Sequence, residues 1–159
     1  MRIIVAAVGR LKDAEHALCE RYEKRFDAAG RPLGLGPLKI SELNESRAAA
    51  ADARKADEAS RLVKAAGTAS ERVVLDEGGK ALSSQGFASW IAQRRDGGCR
   101  TLAFLIGGPD GHGPEAVAGA ALKLSLSPLT LPHGLARVVL IEQLYRAATI
   151  LAGHPYHRA

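Results

Sequence analysis

Thr101–Ile106 (TLAFLI) is six residues long, carries no charge, and runs directly into Gly107-Gly108-Pro109. An apolar run of this length, stopped by turn residues, predicts a strand buried on both faces. Such a strand belongs inside a sheet that has helices above and below it. The turn that follows, Gly107–Gly113 (GGPDGHG), brings bare backbone to the end of the strand. Glycine lets a ligand approach the main chain closely, and proline fixes the turn. A second loop of similar character, Ser125–His133 (SLSPLTLPH), lies shortly downstream. Together the two loops can surround one small molecule with backbone N–H and C=O groups.

The rest of the chain alternates strand and helix patterns. Arg2–Val8 (RIIVAAV) predicts a buried strand ended by Gly9. Asp13–Ala29 carries Ala14, Ala17, Leu18, Tyr22 and Phe26 at helical spacing. Gly30–Pro37 is rich in turn residues, and a short strand is expected at Leu38–Ile40. Glu45–Ala66 is rich in alanine and interleaved charge, which predicts a helix. Arg72–Asp76 predicts a strand ending in a Glu77–Lys80 turn. Ser83 or Ser84 is placed to cap a helix that runs to about Arg95, with Phe87, Trp90 and Ile91 facing inward. Pro114 suits the first position of a helix over Glu115–Lys123. A short strand leads into the Pro128 and Pro132 turns, and a final helix is expected from about Leu135 to Ala152. Strands alternating with helices predict one α/β domain over residues 1–159, with a parallel sheet covered on both faces.

Composition narrows the partners. Hydrophobic residues make up 47% and charged residues 25% of the chain, as in soluble globular proteins. No apolar run reaches the roughly 18 residues a membrane span requires. The first residues read as a strand and not as a signal segment, so a cytoplasmic location is expected. Cys19 and Cys99 lie far apart and outside metal-ligand spacing, which predicts reduced thiols. A net charge of +5 suits a polyanionic partner without requiring one.

Several motifs are weaker than they look. Gly111–Ala116 fits G-x-G-x-x-A, but Ala116–Ile141 contains no acidic residue for a ribose. Gly79-Lys80 ends like a phosphate loop, yet Val74 and Ala81 stand at two of its required positions. His154 and His157 have ligand-like spacing with no carboxylate or cysteine nearby, so no metal is expected.

The final helix puts Leu140, Ile141, Leu144, Ala148 and Leu151 on one face and Glu142, Arg146 and Thr149 on a polar stripe. Arg137 falls on the apolar side in the first turns, where the helix dipole disfavours a cation. It either has a buried or anionic partner or snorkels to the surface. The apolar girth of this helix makes a subunit interface plausible. The tail His154-Pro155-Tyr156-His157-Arg158 combines an aromatic ring, two imidazoles and a guanidinium, suited to stacking a base and meeting phosphate.

Taken together, IVAAVGRLK (4–12), LDEGGKAL (75–82), FLIGGPDG, LSLSPLTLPH, EQLYRA and HPYHR resemble the RlmH family of SPOUT methyltransferases over nearly the whole chain. His112 stands where leucine is more usual, and Gly134 where proline often occurs. The resemblance implies a parallel α/β sheet with a C-terminal trefoil knot, and a homodimer. It also implies S-adenosylmethionine bound in a bent form by three loops. By position these are Leu75, the Gly107-Gly108 turn, and Leu126, Ser127, Pro128, Leu129, Thr130 and Leu131. The implied reaction is methylation of N3 of a pseudouridine in the helix 69 loop of 23S ribosomal RNA on the assembled ribosome. His154 or His157 would take the N3 proton, Tyr156 would stack on or orient the base, and Arg158 would contact phosphate. Arg2, Arg10, Lys12 and Arg137 are the further expected RNA contacts. A non-catalytic ribosome-binding module is the alternative and would have no cofactor affinity. A dinucleotide-dependent oxidoreductase would bind NAD instead.

Overall fold

Every residue of Thr101–Ile106 is buried, because this strand lies mid-sheet with helices on both sides. The computed structural model describes residues 1–69 and 71–158. Its strands are β1 (Arg2–Val8), β2 (Leu38–Leu43), β3 (Glu71–Ala81), β4 (Thr101–Ile106) and β5 (Leu122–Ser125). Its helices are α1 (Asp13–Gly30), α2 (Ala51–Ala66), α3 (Ser84–Asp96), α4 (Pro114–Val117) and α5 (His133–Leu151). The sheet order is β2-β1-β4-β3-β5, and all four pairings are parallel.

Period-two alternation along the strands sorts their side chains into two cores. Ile3, Val5, Ala7, Val73, Leu102, Phe104 and Ile106 point to the face covered by α1, α3 and α5. Ala6, Val8, Val74, Ala103 and Leu105 point to the face covered by α2 and α4. The second face carries smaller residues, which lets α2 sit close to the sheet. Ser83 caps α3, its Oγ accepting the Gly86 N–H at 3.0 Å.

Four local expectations are corrected. Helix α2 begins at Ala51, so residues 45–50 are not helical; Ser46 instead donates its N–H to the Glu58 carboxylate. Strand β3 continues to Ala81, with a register shift that sets both Leu75 and Lys80 opposite Leu124. The expected Glu77–Lys80 turn is thus a bulge within the strand. Helix α4 is a single turn: Ala118 is extended and Gly119 has φ +70°, so alanine propensity is overridden. Leu122 and Leu124 then join β5, the period-two spacing outweighing the helical one. Finally, Ala14 and Ala17 of α1 are exposed, and its buried residues are Cys19, Phe26 and Gly30.

Arg137 is 2% exposed and is held inside the protein by two hydrogen bonds. Its Nη1 donates to Glu42 Oε2 at 2.5 Å and its Nη2 to the Gly9 carbonyl at 2.8 Å. The guanidinium thereby joins α5 to the ends of β1 and β2. This corrects the expectation that Arg137 contacts RNA, because its guanidinium is buried and its charge is paired with Glu42. Thr149, expected on the polar stripe of α5, is also buried.

Candidate functional site

The bulge of β3 and the loops that follow β4 and β5 enclose a cavity of about 460 Å³. Ligands of parallel sheets bind at the C-terminal ends of the strands. The β3 bulge supplies Asp76 and Glu77, the first half-buried and the second exposed. Its shape is held by Asp76 Oδ1, which accepts the Gly78 N–H at 2.8 Å. The β4 end supplies Ile106, Gly107 and Gly108. Leu124 and Leu126 form the third wall, and Ala136 and His133 reach in from the first turn of α5. Thr130 Oγ1 donates to Glu77 Oε2 at 3.0 Å, joining the first and third loops. The lining is thus apolar, with exposed backbone and two carboxylates.

His112 also lines the cavity. Its Nε2 lies 3.1 Å from the Leu75 carbonyl, which can only accept, so Nε2 carries the proton. Burial holds its pKa below the ordinary histidine value, against the pull of the Leu75 carbonyl. The ring is therefore neutral at pH 7 and straps the Gly107–Gly113 loop to β3 just before its bulge.

A second constellation lies on α5 and the tail. Glu142 Oε1 accepts from Arg146 Nη2 at 2.6 Å, Arg146 Nε at 3.0 Å and the Tyr156 hydroxyl at 2.9 Å. The Tyr156 ring packs on Tyr145 with centroids 4.7 Å apart, and the Arg146 guanidinium lies 4.7 Å from its centre. Burial first, and then the Glu142 contact, raise the Tyr156 pKa, so the phenol keeps its proton. His157 Nδ1 is 3.3 Å from Arg146 Nη1, and His154 Nδ1 accepts the Tyr156 N–H at 3.1 Å. Each imidazole thus accepts at Nδ1 and carries its proton on Nε2. Arg158 is exposed. The tail is tied down through Glu142 and Arg146, which the sequence offered only as part of a polar stripe. Their i, i+4 spacing, with an aromatic tail to follow, was the available signal.

The family described as "Predicted SPOUT methyltransferase" matches residues 1–157. The chain belongs to the SPOUT methyltransferase family. It is 53% identical over 160 residues to the ribosomal RNA large subunit methyltransferase H of Brucella anthropi, with both chains covered in full. It is 51% identical over 169 residues to the protein of that name from Brucella ovis, and 49% over 174 residues to that from Brucella suis, again over the full length of each.

Within this SPOUT chain, the positions read as cofactor-binding come together. Leu75, Gly107, Gly108, Leu126, Ser127, Leu129, Thr130 and Leu131 line the cavity, and Pro128 alone of that set does not. No tail residue lines it. Glu142 and Arg146 lie six and ten residues beyond Ala136, roughly 9 and 15 Å along the helix axis. The basic residues are divided. Arg10 and Lys12 follow the C-terminal end of β1, with Arg10 Nε donating to Asn44 Oδ1 at 2.8 Å. Arg2 is exposed at the start of β1, roughly 20 Å away at the opposite end of the sheet. Of the other motifs, Gly111–Ala116 leads into a helix of one turn, too short for a dinucleotide loop. Among the described residues no cluster of His, Cys, Asp and Glu could hold a metal, and no helix is long and apolar enough to cross a membrane. Cys19 and Cys99 form no disulfide with each other.

Proposed function

We propose that this protein uses S-adenosylmethionine to methylate large-subunit ribosomal RNA, at N3 of a pseudouridine in the helix 69 loop of 23S RNA on the assembled ribosome. The observation that carries the reading is the three-loop cavity, with its two carboxylates, in a chain of the SPOUT family. The lining suits the donor: apolar walls and glycine backbone for the adenosine, and Asp76 and Glu77 for the cationic sulfonium and ammonium groups. When bound, S-adenosylmethionine supplies an electrophilic methyl group whose leaving group needs no metal.

The chain's own task is to present the nucleophile. Methyl transfer needs the acceptor nitrogen within roughly 3–3.5 Å of the methyl carbon. The tail, anchored on Glu142 and Arg146 and absent from its own cavity, fits a role at the cavity of a second subunit. We therefore infer a homodimer in which each tail serves the partner's cofactor. The C-terminal trefoil knot implied by the family belongs to the same reading.

Within the tail, Tyr156 is already packed at a tilt against Tyr145, which favours orienting the RNA base over intercalating beside it. The Nε2–H groups of His154 and His157, with Arg158, are donors suited to the two carbonyl oxygens that flank N3. Donors there stabilise the N3 anion as its proton leaves. For either histidine to take that proton itself, its basic nitrogen must first release the contact seen here. Arg10 and Lys12 fit phosphate contacts, while Arg2 lies at the far end of the sheet. On this reading ribosomal shape supplies much of the recognition.

The test is methyl transfer from labelled S-adenosylmethionine to ribosomes from a strain lacking this protein, followed by mass spectrometry of the nucleosides. Label in N3-methylated pseudouridine is the expected outcome. Label in a different nucleoside would keep the chemistry and refute the target. The absence of both label and cofactor binding would favour the non-catalytic ribosome-binding module.

A further inference from the structure

Helix α2 lines no part of the cavity, yet the Gly107–Gly113 loop is set against it at three points. Arg54 donates from Nε and Nη2 to the two carboxylate oxygens of Asp110, at 2.8 and 3.3 Å. A Cβ on Gly113 would come within 2.5 Å of the Lys55 carbonyl oxygen. A Cβ on Gly108 would lie 2.7 Å from Glu58 Oε1 and 3.2 Å from Oε2. Gly108 does not have a positive φ, so its φ does not itself demand glycine. What requires glycine there is the space the carboxylate occupies.

Glu58 is itself unusual. It is 3% exposed; Oε2 accepts the Ser46 N–H at 2.8 Å, while Oε1 is buried without a hydrogen-bond partner. A half-satisfied buried carboxylate is costly and calls for an explanation. We propose that Glu58 is a positioning residue: its carboxylate fills the space beside Gly108 and so fixes the turn that forms one wall of the cofactor cavity. This rests on reading the cavity as the S-adenosylmethionine site.

The test is a double-substitution cycle, read by calorimetric binding of S-adenosylmethionine and by hydrogen exchange of the 108–113 amides in ligand-free protein. Gly108→Ala should weaken binding about a hundredfold and Glu58→Ala about tenfold, with coupling of the size contacting residues show. The combined variant should return to about the level of Glu58→Ala, because the new methyl takes the vacated space. Val8 Cγ1, 3.2 Å from that methyl, would then have to give slightly. Glu58→Gln keeps the shape and should bind within about threefold of the parent. Exchange should follow the same order, and for Glu58→Ala kcat at saturating cofactor should change little. Effects that multiply in the double variant, or a Gly108→Ala variant that binds as tightly as the parent, would overturn the proposal. If the unsubstituted protein binds no S-adenosylmethionine, the reading of the cavity fails. Exchange then decides the role of Glu58 alone: rescue of Gly108→Ala by Glu58→Ala supports it, and unrelieved loosening refutes it.

Discussion

A chain ending at Gly153 should bind S-adenosylmethionine within about threefold of the full-length protein, yet lose methyl transfer by about 10³-fold or more. The two halves of this expectation come from separate observations. No residue of 154–158 lines the cavity, so its removal leaves the binding walls intact. The same residues carry the aromatic ring, the two Nε2–H donors and Arg158, which are the groups fitted to hold the acceptor base. Tyr156→Phe is the milder form of the experiment. It removes the hydrogen bond to Glu142 but keeps the packing on Tyr145, so a loss of about tenfold is expected. Calorimetry of cofactor binding and single-turnover transfer to ribosomes would check both. A truncated chain that retains full turnover would remove the tail from the chemistry.

Arg137→Met should cost about 3 kcal/mol of folding stability, near the lower end for breaking a buried ion pair. Methionine fills much of the space, but the Glu42 carboxylate keeps only the Leu11 N–H and the Gly9 carbonyl loses the guanidinium. The Glu42 side chain keeps 22% exposure, so water relieves part of the loss. The pair also has a pH signature. Burial alone would raise the Glu42 pKa, but the Leu11 N–H and the Arg137 guanidinium outweigh it and hold the carboxyl below its ordinary value. A folded-state pKa below the unfolded one, about 4.3, adds stability at higher pH. That contribution disappears as pH falls through the lowered value. Urea unfolding at pH 7 and near pH 3 should therefore show a smaller acid-induced loss for Arg137→Met than for the parent. Equal acid sensitivity in the two proteins would show that the pair carries no pH-dependent stability.

How much of this was legible in the sequence depended on the range of the interactions. Thr101–Ile106, Arg2–Val8 and the Ser83 cap could be read directly, because periodicity and capping are local. The oddity of Arg137 was visible too, but not its partner, since Glu42 lies 95 residues away. Where local rules failed, tertiary contacts had overridden them. Ala116–Ala121 is composed like a helix, but Gly119 turns the chain and Leu124 finds its place beside β3. The Glu77–Lys80 bulge keeps β3 in the sheet because Gly79 fits against the Lys123 backbone, where a Cβ would meet it at 2.7 Å. The two backbone loops of the cavity were evident from glycine and proline. The Asp76, Glu77 and His112 walls were not, because a bulge and a folded-back loop bring them there.

In the proposed dimer donor and acceptor meet across two subunits, and subunit mixing tests this most directly. One chain would end at Gly153; the other would carry Ala136→Trp, filling the cavity from α5. Each homodimer alone should be inactive. Mixed in equal amounts and allowed to exchange, they should recover roughly a quarter of the parental methyl transfer to ribosomes, since half the dimers then hold one complete site. No recovery, with heterodimer formation verified by mass, would contradict the trans arrangement and require tail and cavity to act within one chain.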